Sequence, residues 1–248
     1  EYLDDAAIAR LEAQASRTGN TITLKNQERM DATSETIEWL HDFALNQKIG
    51  AIPSDSRYDL KIGRTPDAVY QKIKSIDKHK KNAPASLARM LATFDWTYVQ
   101  AKRPTDGMWN VQVGDWRLPW NLQLKVPHNK KDLAWAEQPQ TIGEVGSTFT
   151  IQGFDLNYAG LIIGPSVTYR DGRVVFNPEA SRNKQAKNRR KWHGKYIDVT
   201  CELLRNELNV LLTRGVHGLY IYAVDEQLQQ ALLSFAGPNH ILEENDGV

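Results

Sequence analysis

Two runs of consecutive apolar residues, Ala159-Gly160-Leu161-Ile162-Ile163 and Leu219-Tyr220-Ile221-Tyr222-Ala223-Val224, restrict the possible folds most severely. A strand with one face in water alternates apolar and polar side chains, whereas runs of this kind must be covered on both faces. They suit central strands of a parallel sheet with helices above and below. The helices are legible around them. Residues 3–17 place Ile8, Leu11 and Ala15 on one face, and Thr33 or Ser34 can cap a segment carrying Ile37, Leu40 and Phe43. Thr65-Pro66-Asp67 supplies a cap, a first-turn proline and an acidic first turn to a helix ending near Lys78. Ile197, Cys201, Leu204, Leu208 and Leu211 recur at helical spacing, with Gly215 placed just past the helix end. Asp225 caps a last helix that Gly237-Pro238 stops. Residues 21–24 and 58–62 alternate as short strands, residues 87–94 suit either a strand or a short helix, and Asp171-Gly172 marks a hairpin turn. Strands alternating with helices predict an α/β layered domain, its sheet mainly parallel and flanked by helices.

Residues 95–140 break this alternation. Five of the seven tryptophans lie there (Trp96, Trp109, Trp116, Trp120 and Trp135), and Gly114-Asp115 sits between two short apolar segments. The expectation is an irregular or β insertion at about 95–140 that staples itself to the main sheet; aromatic stacking on unpaired bases is the other reading. The net charge of +1 gives no global field toward nucleic acid. Seven cations nevertheless fall between Ser181 and Lys195 without an acid, among them Arg189, Arg190 and Lys191, which leaves −6 for the remainder. Such a run binds phosphate backbone or is a solvated loop.

The single cysteine, Cys201, rules out an intrachain disulfide and a cysteine-based zinc site. Its helical position predicts a buried structural thiol. His193 and His217 show no spacing for metal or triad chemistry. No apolar run approaches the ~20 residues that span a bilayer, so no membrane partner is expected and a cytoplasmic location is the default. The first residue is Glu1, and the expectation is a piece of a longer protein.

One segment carries chemistry of its own. Asn209-Val210-Leu211-Leu212-Thr213-Arg214-Gly215 runs an apolar helix almost directly into the strand beginning at Leu219, delivering one guanidinium to a sheet edge. Arginine suits phosphate there because its planar fork matches phosphate oxygens; a favourable interaction with the helix dipole is the plainer reading. The segment closely resembles the last signature motif of superfamily 1 helicases. Gly146-Ser147-Thr148-Phe149-Thr150-Ile151-Gln152-Gly153-Phe154-Asp155, followed by an apolar strand, resembles another motif of that superfamily. That resemblance implies backbone contacts to nucleic acid from Thr150 and Gln152, close approach at Gly153, and a nucleotide-sugar contact from Asp155. Leu24-Lys25-Asn26-Gln27-Glu28-Arg29 resembles a third motif, in which Gln27 would lie at the nucleotide and Arg29 near its terminal phosphate.

Residues 88–232 are more similar still to bacterial ATP/GTP-binding proteins described as Schlafen group-3-like DNA/RNA helicases. The shared segments include Ala88-Arg89-Met90-Leu91, Pro119-Trp120-Asn121, Glu144-Val145-Gly146-Ser147 and Arg205-Asn206-Glu207-Leu208. The resemblance implies a RecA-like layered domain, a motor of two such halves, and ATP or GTP with magnesium between them. No G-x-x-x-x-G-K-[ST] cradle occurs in these 248 residues, nor an apolar strand ending in paired acids. Residues 1–248 are therefore expected to form a single C-terminal RecA-like motor domain. It would partner an N-terminal RecA-like domain of the same chain and DNA or RNA. Arg214 and Arg29 would serve catalysis, and Asp155, Gly153 and Gln27 the nucleotide. Thr150, Gln152, Arg189, Arg190 and Lys191 would contact nucleic acid. The alternative is a binding or regulatory module that keeps the RecA-like shape without motor activity.

Overall fold

The computed structural model describes residues 5–18, 29–78, 87–105, 107–192 and 194–243. The strand expected at 21–24, Gln27 and His193 lie outside them. In chain order the elements are α1 (Asp5–Arg17), α2 (Ser34–Ala44), β1 (Asp59–Gly63), α3 (Pro66–Lys78), β2 (Ala88–Ala92), β3 (Asn110–Val113), β4 (Trp116–Pro119), β5 (Val145–Gly146), β6 (Leu156–Ile163), β7 (Val167–Arg170), β8 (Arg173–Phe176), α4 (Lys184–Lys187), β9 (Arg190–Trp192), β10 (Lys195–Ile197), α5 (Thr200–Leu212), β11 (Gly215–Ala223), α6 (Glu226–Phe235) and β12 (Ile241–Leu242).

Six strands form one sheet in the order β12-β1-β11-β6-β2-β5, and every neighbouring pair is parallel. The two consecutive apolar runs fall in β6 and β11, side by side in its middle. Each is covered on both faces. Leu161, Leu219 and Ile221 pack with Leu40 and Phe43 of α2, Leu208 and Leu211 of α5, and Leu228 of α6. Ile162 and Tyr220 pack with Val69 and Ile73 of α3 and with Trp120 of the insertion. This is the RecA-like α/β layering: a parallel sheet between helical layers.

Several starts follow the sequence. Thr33 Oγ1 accepts from Thr36 N at 3.4 Å, Thr65 Oγ1 from Ala68 N at 3.1 Å, and Asp225 Oδ1 from Leu228 N at 2.9 Å. Residues 88–92 resolve as a fully buried strand. The insertion is the β3–β4 hairpin plus short helical turns, fastened by Glu144. That carboxylate accepts from Gln123 N, from Leu124 N at 3.2 Å and from Trp135 Nε1 at 2.9 Å. The staple reading of the tryptophans holds for Trp120 and Trp135, which are buried.

Two expectations need correction. Cys201 is exposed, because α5 begins only at Thr200 and its buried face runs through Thr200, Leu204, Leu208 and Leu211, which turns Cys201 outward. Ile197 likewise belongs to β10 and not to the helix. Gly215 does not end a helix. It opens β11 at a register irregularity, where a Cβ would lie 2.1 Å from the Gly218 carbonyl oxygen and 3.3 Å from Ala159 N. Close backbone approach demands glycine there.

Candidate functional site

Because the strands are parallel, their first residues share one edge, and β6 and β11 bring Asp155 and Arg214 to it side by side. The Arg214 carbonyl accepts from Leu156 N at 3.0 Å, which fixes the backbone. The guanidinium turns over the start of β6, where Nη1 donates to the Phe154 carbonyl at 3.2 Å and lies 3.7 Å from Asp155 Oδ1. Arg29 approaches the same oxygen through Nε at 2.9 Å. Among the described residues, one carboxylate thus faces two guanidiniums.

Arg214 is more enclosed than a solvent-facing arginine, with a side chain 11% exposed. Burial lowers its pKa, Arg29's charge lowers it further, and Asp155 opposes both. Among the described residues its buried Nε finds no hydrogen-bond partner. A buried donor without an acceptor costs free energy until an acceptor arrives.

The edge continues past this cluster. Asp31 N donates to the Val216 carbonyl at 2.8 Å, and its carboxylate stands 3.8 Å from Arg57 Nη1 and 3.7 Å from His217 Nδ1. Beyond lies a cleft of about 700 Å³ lined by Thr33, Asp55, Arg57, Tyr158, His217 and His240 among others. Burial works against the charge on Asp55, yet donors from Thr33, Arg57 and Thr36 hold its pKa at about 2, so it braces the loop as an anion. Arg57 gives no sequence signal beyond lying in a polar loop.

The opposite edge holds a second constellation. β5 ends there at Gly146, and the turn after it places Thr148 and the half-exposed Phe149 in a groove of about 260 Å³ with Asn183, Gln185, Arg190 and Leu203. An adjoining hollow of about 310 Å³ shares Phe149, Asn183 and Gln185 and adds Phe94, Tyr98 and the cations Arg182 and Lys184. The basic run is neither featureless nor a bare loop: it forms α4 and the antiparallel β9–β10 hairpin. Arg189, Arg190 and Lys191 are exposed on it, and Arg190 Nη2 donates to the Gln185 carbonyl at 3.2 Å.

Thr150 sits differently from its motif expectation. Its Oγ1 accepts from Ser147 N at 2.7 Å and donates to Ser147 O at 2.9 Å, closing a turn, and Thr148 is the hydroxyl on the groove. Gln152 and Gly153 are exposed between the two edges, with Gly153 at φ +76° in open space, a conformation suited to glycine.

A family model described as Schlafen group 3, DNA/RNA helicase domain matches residues 1–225. The chain belongs to this family. A helicase-like, nucleic-acid-related function comes with membership in the Schlafen group 3 helicase-domain family. One relative is the uncharacterized protein YPL245W of Saccharomyces cerevisiae, 34% identical over 228 residues. The match takes in 85% of this chain and 47% of that protein, so the chain spans about half the length of the relative. No solved structure matches the chain. Among the described residues of this Schlafen group 3 domain, no helix is long and apolar enough to cross a membrane.

Proposed function

We propose that these residues form the C-terminal RecA-like half of an ATP- or GTP-driven nucleic-acid helicase or translocase. They would supply arginines to a nucleotide held by an N-terminal half. One observation carries the reading: Arg214 and Arg29 converge on Asp155 at the edge where the strands begin. Open parallel sheets build their own ligand sites outside the carboxyl ends of the strands. Guanidiniums at the opposite edge suit a nucleotide presented by another lobe.

On closure, the terminal phosphate would replace Asp155 as the partner of both arginines and give Arg214 Nε an acceptor. The guanidiniums would then neutralise charge on the transferring phosphoryl group as water attacks phosphorus. Asp155, released, is placed to accept from a sugar hydroxyl. Magnesium supplied with the nucleotide neutralises phosphate oxygens. Among the described residues no cluster of three or more His, Cys, Asp or Glu could hold it, so the proposal assigns it no ligand in this chain. Residues 147–155 run from the groove edge at the end of β5 to the arginine edge at the start of β6. That segment links the strand-binding side to the nucleotide side, and hydrolysis would let the halves reopen and shift along a strand.

Two outcomes test the reading. These 248 residues alone should release no phosphate from ATP or GTP; robust magnesium-dependent turnover by them would overturn it. The chain should bind single-stranded oligonucleotides, and Arg190→Ala should weaken binding and reduce the slope of log affinity against log salt by about one, the loss of one phosphate contact. Affinity and slope both unchanged would remove the groove from the site.

A further inference from the structure

Where Glu207 lies in α5 calls for an explanation. It falls between Leu204, Leu208 and Leu211 on the packed side of the helix, and its side chain is buried. Its carboxylate joins α5 to two other segments, at Phe94 and at Asn183. Oε1 accepts from the backbone N–H of Phe94, just past the end of β2, at 2.5 Å. Oε2 accepts from Asn183 Nδ2 at 3.0 Å, and Asn183 Oδ1 accepts from Ala186 N at 3.1 Å to cap α4. The Phe94 carbonyl accepts from Arg182 N at 2.9 Å, closing the circuit through the backbone. Phe94, Asn183 and α5 therefore move as one body or strain these bonds. From Glu207 the helix runs about 7.5 Å, roughly one and a half turns, to its end at Leu212, and Arg214 follows two residues after that end.

We infer that Glu207 is a positioning residue that transmits occupancy of the groove along α5 to Arg214. The inference rests on the proposed function, because it needs nucleic acid in the groove and a nucleotide-sensing Arg214. A strand entering between Phe149, Arg190 and Leu203 presses on α4 and on α5 together. With Glu207 bonded to both Phe94 and Asn183, α5 cannot respond alone, so displacement is passed along the rigid helix. Without the carboxylate, α4 and α5 respond independently and the arginine edge is not informed.

The surroundings of this joint act on its carboxyl. Burial raises the Glu207 pKa to about 7, neighbouring Asp95 raises it too, and the bonds from Asn183 and Phe94 pull it down. The charged groups around it are Asp95 after β2, Arg190 of the β9–β10 hairpin on the same groove, and Arg182, whose charge acts on Asp95. Both protein partners of Glu207 are donors, so the anion satisfies them and the protonated acid satisfies them less well.

Hydrogen exchange on the 248-residue chain, with and without oligo(dT) or oligo(U), tests the idea, with affinity measured separately by fluorescence anisotropy. In the wild type the oligonucleotide should slow exchange across residues 211–217 by at least about fivefold, the lower end of coupling between sites. Glu207→Gln, similar in shape, should bind with nearly unchanged affinity and lose that protection. A merely structural Glu207 would lower the unfolding midpoint on substitution and leave the protection intact, which overturns the inference. So does binding without any protection in the wild type. Failure of the wild type to bind either oligonucleotide would show up in the anisotropy alone and would sink the groove reading together with the inference. Should Glu207→Gln fold poorly, Glu207→Asp, whose shorter side chain cannot reach both Phe94 N and Asn183 Nδ2, is to give the same loss of protection.

Discussion

Arg214→Ala, made in the protein that carries both RecA-like halves, should slow nucleotide hydrolysis by about 10³-fold or more while oligonucleotide affinity stays within about twofold. An arginine of this kind contributes about 10³–10⁵ in turnover, roughly 4–7 kcal/mol at the barrier. The size follows from where the charge sits. The guanidinium is largely withdrawn from water, so its attraction for a developing phosphoryl charge is poorly screened. Arg214→Lys should recover little, since an ammonium cannot offer the planar fork and would leave the Phe154 carbonyl and a phosphate oxygen competing for one centre. Arg29→Ala should cost less, because its side chain is 39% exposed and better screened. Steady-state phosphate release and equilibrium binding, measured on the same preparations, separate the outcomes. Turnover unchanged in Arg214→Ala would favour a RecA-like binding module over a motor.

The central strands were legible because burial on both faces leaves a mark that local sequence cannot disguise. Residues 159–163 and 219–224 were read correctly as interior strands for that reason. Caps were legible for a similar reason, since Thr33, Thr65 and Asp225 act within four residues of themselves. What failed depended on distant packing. Periodicity extended the α5 stripe back to Cys201 and Ile197, yet nothing in the periodicity records where the core stops. Gly215 looked like a helix terminator, and its actual reason, the Gly218 carbonyl three residues on, needs the register of β11 against β6. At the site, Arg214, Arg29 and Asp155 were named from separate motifs, and the sheet brings them together. Glu207 was overlooked although a clue was present: an acid between Leu204 and Leu208 on a packed helix face demands partners. The turn that Thr150 Oγ1 closes with Ser147 had no such clue, because its partners are backbone groups that the motif does not mark.

Trp120→Ala should lower unfolding free energy by about 3–5 kcal/mol, the usual cost of deleting a large buried aromatic side chain. Trp120 is fully buried and ties the insertion to the sheet in several ways. Its backbone bridges Val145 of β5, its N–H donates to the Trp109 carbonyl at 2.8 Å, and its ring meets Phe94 at 5.4 Å and Trp96 at 6.3 Å between centroids. Trp120→Phe should cost much less than alanine. It preserves most of the ring contacts and removes an indole Nε1 that is buried without a hydrogen-bond partner. Denaturant unfolding followed by far-UV circular dichroism gives both values. The groove should feel the loss as well, since Phe94 is held between Trp120 and Phe149, which lie 5.4 Å from it on either contact. Oligonucleotide binding should therefore weaken in Trp120→Ala, and the Arg29–Asp155–Arg214 cluster, at the other edge of the sheet, should keep its geometry. An unfolding midpoint that does not move would mean the insertion is a flap laid on the sheet, and Phe94 would then need another support to hold the groove open.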